Sequence, residues 1–114
     1  MPKTKAITEV QLTDKNFREE VLESSTPVLV DFCADWLQQC SNISAIIDHL
    51  KKAIEGGVKI GRVALNDAAS TAERYTIRAF PTFLLFKDGQ VVDSLSGVYP
   101  EDEMVTRLKL MLQT

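Results

Sequence analysis

The sequence has 114 residues, of which 45% are hydrophobic and 25% are charged, and its net charge is −3. This size and balance are typical of one globular domain and exclude a disordered chain. The basic residues are spread along the chain, which argues against a nucleic-acid partner. The longest apolar runs, residues 27–30 and 83–86, are too short to span a membrane.

The N-terminal residues carry charge, but no apolar run follows them. We therefore expect no secretory signal and a cytoplasmic location. We also expect a monomer with one domain over residues 1–114, in which residues 1–6 form a flexible tail. The chain contains one histidine, His49, and two cysteines, and this small number of potential ligands predicts no metal site.

The first half of the chain predicts two strands, each followed by a helix. A short alternating strand at Val10–Leu12 precedes a helix that Thr13 or Asp14 can cap. Residues 27–33 are nearly all apolar, which is typical of a strand buried on both faces. Isoleucine and leucine then recur at helical spacing and predict a long helix over residues 37–54.

The second half of the chain predicts a strand, a short helix, a hairpin and a last helix. The expected ranges are Val58–Leu65, Ala68–Tyr75, Pro81–Lys87, Gln90–Ser96 and a helix that begins at Pro100. Asp88-Gly89 between two strands is a strong two-residue hairpin signal. The alternation of strands and helices predicts an α/β fold, with a mixed sheet that helices cover on both faces.

Three local strings and the spacing between them resemble the thioredoxin family. The strings are Pro27–Phe32, Tyr75–Thr82 and Leu84–Gly89. The resemblance covers nearly the whole chain and implies a thioredoxin fold with a central mixed sheet of about five strands. It also implies a cis peptide bond before Pro81, a buried carboxylate at Asp31, and a glycine, Gly97, beside the active site.

The active-site string departs from the family pattern. Thioredoxins carry Trp-Cys-Gly-Pro-Cys, whereas residues 36–40 read Trp-Leu-Gln-Gln-Cys. Cys40 matches the resolving cysteine, but Leu37 stands at the position of the attacking cysteine and cannot act as a nucleophile. We therefore expect no ordinary dithiol disulfide-reductase activity. The resemblance implies no cofactor.

Cys33 stands where the family usually carries tryptophan, and it lies two residues after Asp31, so the two side chains share one face of the strand. Two interpretations of the cysteines remain open. Cys33 and Cys40 are either two free thiols or a pair, which requires Cα atoms about 4.4–6.8 Å apart. The free thiols are favoured, because this spacing matches no short redox motif.

Asp31 interrupts an otherwise apolar strand, and a buried carboxylate marks either a function or a compensating partner. In the family it helps to move a proton to and from the resolving cysteine. The alternative is a retained polar group beside internal water. Arg62 stands where the family places a lysine and could pair with Asp31, although an exposed Arg62 is the simpler expectation.

The resemblance places a peptide-binding groove next to the cis proline. The residues that would border it here are Trp36, Phe80, Pro81, Gly97 and Val98. Exposed aromatic side chains beside a groove favour contact with a protein or peptide partner. The alternative is that the two aromatic residues only cover the site.

These observations lead to two functional hypotheses. The favoured one is a non-classical member of the thiol–disulfide family that has lost the attacking cysteine and binds a protein partner. The alternative is an atypical thiol–disulfide oxidoreductase that uses Cys40 alone or a pair of Cys33 and Cys40.

Overall fold

A computed structural model describes residues 8–34, 36–54 and 56–113. The strands are β1 (Thr8–Leu12), β2 (Val28–Phe32), β3 (Lys59–Val63), β4 (Thr82–Lys87) and β5 (Gln90–Ser96). The α-helices are α1 (Ile43–Ala53), α2 (Ala69–Arg74) and α3 (Glu101–Leu112). A short π-helical segment, Arg18–Leu22, takes the place of the first predicted helix. The tail predicted over residues 1–6 lies outside the described residues.

The five strands form one mixed sheet in the order β1-β3-β2-β4-β5. β3 is parallel to β1 and β2, whereas β4 is antiparallel to β2 and β5. Between β4 and β5, Asp88 and Gly89 have φ values of 54° and 79°. Two consecutive positive φ angles are what a two-residue hairpin turn requires. The predicted α/β fold with a mixed sheet of five strands is confirmed.

The central strand β2 is buried along its whole length. Its side chains alternate between two apolar clusters, since successive residues of a strand point to opposite faces of the sheet. Leu29 packs in the cluster that contains residues of α1 and α3, and Val30 packs in the cluster that contains Phe17 and Phe86. Cys33 belongs to the same cluster as Leu29. Asp31 and Cys33 therefore lie on the face of the sheet that α1 and α3 cover.

The long helix predicted over residues 37–54 is divided in the structure. Gln38–Cys40 form a single 3-10 turn, and α1 begins only at Ile43. Asn42 between them has φ −106° and ψ 10°, outside the helical range. The break falls at Ser41-Asn42, and serine and asparagine are weaker helix formers than leucine or alanine. The prediction of one continuous helix is wrong at its N-terminal end.

Within the described residues, no helix combines the length and the apolar character needed to cross a bilayer.

Candidate functional site

The two cysteines of the chain are joined by a disulfide bond between Cys33 and Cys40. Their Cα atoms are 6.0 Å apart, within the range of about 4.4–6.8 Å found for disulfides. Cys33 directly follows β2, and Cys40 closes the 3-10 turn that precedes α1. Both residues are buried. The favoured expectation of two free thiols is therefore wrong, and the paired alternative is correct.

The pairing depends on how the connection between β2 and α1 folds back on itself. The amide of Leu37 donates to the carbonyl of Ala34 over 3.0 Å, and the amide of Cys40 donates to the carbonyl of Leu37 over 3.0 Å. These two successive tight turns bring Cys40 back toward the end of β2. Leu37 itself has an extended backbone, with φ −89° and ψ 128°, and it packs against the cluster that holds both cysteines. It is therefore not the first residue of a helix.

Asp31 lies in β2, two residues before Cys33, and is 1% exposed. Its Oδ2 accepts a hydrogen bond of 3.2 Å from Nε of Arg62, which is the residue opposite Asp31 in the pairing of β2 with β3. The guanidinium also donates from Nη1 to Oγ of Ser44 over 3.1 Å and lies 3.7 Å from a carboxylate oxygen of Glu9. The simpler expectation of an exposed, unengaged Arg62 is wrong, because the strand register places its charge next to the buried carboxylate.

A cavity of about 250 Å³ lies beside the disulfide. Its lining combines residues from the ends of β1 and β3 with residues of the loops that follow β2 and β3. The lining residues are Gln11, Cys33, Ala34, Trp36, Arg62, Val63, Ala64, Leu65, Asn66 and Asp67. Trp36 is 67% exposed, and Asn66 and Asp67 are exposed as well, so the cavity opens to solvent. Cys33 is thus the cysteine that faces this opening.

This cavity was not predicted, although the sequence contains a signal for it. The resemblance to thioredoxins aligns Cys33 with a tryptophan, and a thiol fills far less volume than an indole. A small side chain at such a position leaves space between the loops that follow β2 and β3. Gln11 and Asp67 carried no signal of their own, since they reach the cavity only through the pairing of β1 with β3 and the turn at Leu65–Asp67.

The residues expected to border a peptide groove fall into two groups. The peptide bond between Phe80 and Pro81 is cis, and the amide of Gly97 donates to the carbonyl of Pro81 over 3.0 Å. Val98, the next residue, is 66% exposed, whereas Phe80 is partly buried. Trp36 lies at the cavity beside Cys33, and Pro81, Gly97 and Val98 are not among the residues that line it.

Gly97 has a φ of 105°. L-residues with side chains rarely adopt this backbone conformation, so glycine is favoured at this position. The chain can therefore turn sharply after β5 while its amide bonds to Pro81.

Taken together, the geometry defines a class of protein: an α/β domain with a disulfide at the junction between a buried strand and a helix. Comparison with protein families matches residues 8–110 to thioredoxin. The chain is 37% identical to thioredoxin of Synechocystis over 102 residues, which cover 90% of this chain and 95% of that protein. It is 40% identical over 97 residues to thioredoxin 1 of Synechococcus elongatus, covering 85% and 91% of the two chains.

A third relative, thioredoxin C-2 of Corynebacterium nephridii, is 41% identical over 95 residues, which cover 83% of this chain and 88% of that protein. The chain belongs to the thioredoxin family.

These findings correct the favoured functional hypothesis. A binding module that had lost its working cysteine pair was expected, because Leu37 stands at the family's attacking position. The chain instead holds a second cysteine at Cys33, and this residue is bonded to Cys40. The relatives reported above are named thioredoxins. The alternative hypothesis, a thiol–disulfide protein with a Cys33/Cys40 pair, is the better supported one.

Proposed function

We propose that this chain is a thiol–disulfide oxidoreductase whose redox-active pair is Cys33 and Cys40. The observation that carries the proposal is the disulfide between these two residues, at the junction where β2 ends and the helical region begins. Its reduction gives two thiols held close together. Such a pair can pass two electrons to a substrate disulfide and return to the bonded form.

The chemistry needs both cysteines. One thiolate attacks a substrate disulfide and forms a mixed disulfide, which releases the first substrate thiol. The second cysteine then attacks the mixed disulfide, closes the Cys33–Cys40 bond and releases the second substrate thiol. A dithiol reductant restores the pair. Because this cycle depends on re-reduction, it suits a reducing compartment, and we propose that the protein works in the cytoplasm.

We test the proposal by the reduction of insulin with dithiothreitol as electron donor. The wild-type chain should accelerate the reaction about tenfold or more over a double variant, Cys33→Ala with Cys40→Ala. Thiol titration should find none in the oxidised wild-type protein and two after reduction. Acceleration no greater than that of the double variant would reject the proposal.

We also propose that protein substrates contact two groups of residues, Trp36 beside the cavity and the exposed Val98, which follows Gly97 next to Phe80 and the buried Pro81. The support is the exposure of Trp36 and Val98, each about two-thirds exposed, since large apolar side chains at the surface favour partner contact. In the insulin assay, Val98→Asp should lower the rate about threefold or more. Val92→Asp is the matched control, because Val92 is an exposed valine of β5 that belongs to neither group. Equal rates for the two variants would contradict the assignment.

A further inference from the structure

The two cysteines of the disulfide differ in their access to the cavity. Cys33 lines the cavity that opens between the loops after β2 and β3, whereas Cys40 is not among its lining residues. Both cysteines are buried, with Cys33 8% and Cys40 6% exposed, and both pack in the apolar cluster that contains Ile43 and Phe83. The cavity is the feature that distinguishes them. A substrate that enters through the cavity therefore meets Cys33 before Cys40.

The wall of the cavity contains one cationic residue, Arg62, together with neutral donors and one acidic residue. Arg62, Gln11 and Asn66 are lining residues whose side chains can donate hydrogen bonds, and Asp67 is a lining residue that carries a carboxylate. A nearby cation stabilises a thiolate, which is the nucleophilic form of cysteine. The Arg62 charge is shared with Asp31 and Glu9. These contacts hold the guanidinium in place at the cavity wall.

We infer, on the basis of the proposed function, that Cys33 is the attacking thiol and Cys40 the resolving one, and that the substrate disulfide reaches Cys33 through this cavity. The Cys33 thiolate forms a bond to one substrate sulfur, and the other substrate sulfur leaves as a thiolate that takes up a proton. Cys40, as a thiolate, then attacks the sulfur of Cys33. This step releases the first substrate sulfur and reforms the Cys33–Cys40 bond. The substrate gains the two electrons that the dithiol loses.

The volume of the cavity restricts what can enter it. At about 250 Å³ it is smaller than the pockets of about 300–1,000 Å³ that take drug-sized ligands. It can admit one sulfur-bearing side chain, but not a folded segment. The substrate class is therefore an exposed disulfide, presented by a peptide chain or by a small peptide such as oxidised glutathione.

The test uses oxidised glutathione as the probe and single variants that cannot complete the cycle. Cys40→Ala leaves Cys33 to form a mixed disulfide that nothing resolves, and Cys33→Ala leaves Cys40. Mass spectrometry should show glutathione bound to Cys33 in Cys40→Ala about tenfold faster than to Cys40 in Cys33→Ala. Equal rates, a faster reaction at Cys40, or no adduct in either variant would overturn the inference.

The reduced wild-type protein gives a measurement that does not depend on how the variants fold. Limiting N-ethylmaleimide should label Cys33 in preference to Cys40, as tandem mass spectrometry can locate. Preferential label on Cys40 would overturn the assignment. If insulin turnover by the wild type still exceeds that of the double alanine variant, the proposed function stands and only the roles of the two thiols are wrong. If that turnover is absent, the proposed function itself fails.

The route of entry is tested with a bulky side chain at the mouth of the cavity. Asn66→Tyr, combined with Cys40→Ala, should slow the formation of the glutathione adduct about fivefold or more, because the ring occupies the opening. Gln90→Tyr in the same background is the control, since Gln90 is exposed at the start of β5 and belongs neither to the cavity lining nor to the residues proposed to contact protein substrates. An unchanged rate in Asn66→Tyr would show that the substrate reaches Cys33 by another route.

Discussion

Asp31 and Arg62 show how a charge can be kept inside this domain. Moving a carboxylate out of water is costly, and the cost is offset when a cation and hydrogen bonds meet it. Nε of Arg62 lies 3.2 Å from Oδ2 of Asp31, and the Arg62 side chain keeps 23% of its surface exposed. The guanidinium thus connects a buried charge to the edge of the cavity, and the pair should contribute to stability as a unit.

We predict that Arg62→Gln lowers the free energy of unfolding of the oxidised protein by about 2 kcal/mol, because it removes the cation from a buried carboxylate. Urea denaturation measures the change. Asp31→Asn combined with Arg62→Gln should lose less than the sum of the two single variants, as expected for residues in contact. Strictly additive losses in this double-mutant cycle would contradict the pairing.

At this scale, the sequence predicts which residues carry the chemistry better than it predicts their partners. The polar interruption of an apolar strand was enough to predict that Asp31 is buried. The contact with Arg62 depends on the register of β2 against β3, which relates residues distant in the chain. The Cys33–Cys40 bond depends on two tight turns around Leu37, and residue spacing alone does not determine the path of such a connection.

Among the elements, α2 has an unusual cap at its N-terminus. Asp14, which was expected to be able to cap the first helix, instead accepts hydrogen bonds from the first turn of α2. Its Oδ1 lies 2.9 Å from the amide and 2.6 Å from the hydroxyl of Thr71, and its Oδ2 lies 3.3 Å from the amide of Ser70. These amides have no acceptor within a short helix of their own. Asp14, which follows β1 in the chain, therefore caps the N-terminus of α2.

The side-chain hydrogen bond from Thr71, followed by its backbone amide, lowers the pKa of Asp14 below the ordinary value of 3.8. A group with a lowered pKa in the folded state adds stability above its unfolded pKa and loses it as the pH falls through the folded one. We predict that Asp14→Asn lowers Tm by a few degrees near neutral pH, and that the difference from wild type shrinks at about pH 3 and below.

Thermal unfolding followed by circular dichroism at the two pH values measures this effect. Asp48→Asn is the control, because Asp48 is an exposed carboxylate of α1. A difference between wild type and Asp14→Asn that grows with acidification would have the wrong sign and would reject the argument.

The bounds of the elements show where local patterns decide the structure. β5 was predicted over Gln90–Ser96 and is found there, because the Asp88-Gly89 turn determines where the strand begins. The helix predicted over residues 37–54 begins later in the structure, at Ile43. Hydrophobic spacing alone does not predict the bond between Cys40 and Cys33 that precedes it. The cap on α2 comes from Asp14, a residue 57 positions before Thr71, and no local rule predicts such a contact.

For the molecule as a whole, the disulfide closes a short loop, with a sequence separation of 7 between its ends. A loop of this length removes conformational entropy from the unfolded chain equivalent to about 2 kcal/mol. The order of strands and helices, and with it the fold, could be predicted from the alternation of patterns along the chain. The stability that this disulfide adds could not be predicted from the sequence, because it depends on whether the bond forms.

We predict that the oxidised protein is more stable than the reduced protein by about 2 kcal/mol, which corresponds to a Tm about 8 °C higher for a domain of this size. Thermal unfolding with and without a reductant measures the difference. The double variant, Cys33→Ala with Cys40→Ala, should show no response to the reductant. A reduced protein as stable as the oxidised one would mean that loop closure contributes nothing to the native state.

The reduction potential of the Cys33–Cys40 pair also depends on whether the entire chain is folded. Folding and oxidation form a closed thermodynamic cycle, so the stability that the bond gives to the fold equals the stability that the fold gives to the bond. With 30 mV corresponding to about 1.4 kcal/mol for two electrons, a difference of about 2 kcal/mol makes the disulfide harder to reduce in the folded chain than in the unfolded chain by about 40 mV. In a thiol buffer, the disulfide of an unfolded copy would therefore be reduced more readily than the disulfide of a folded copy.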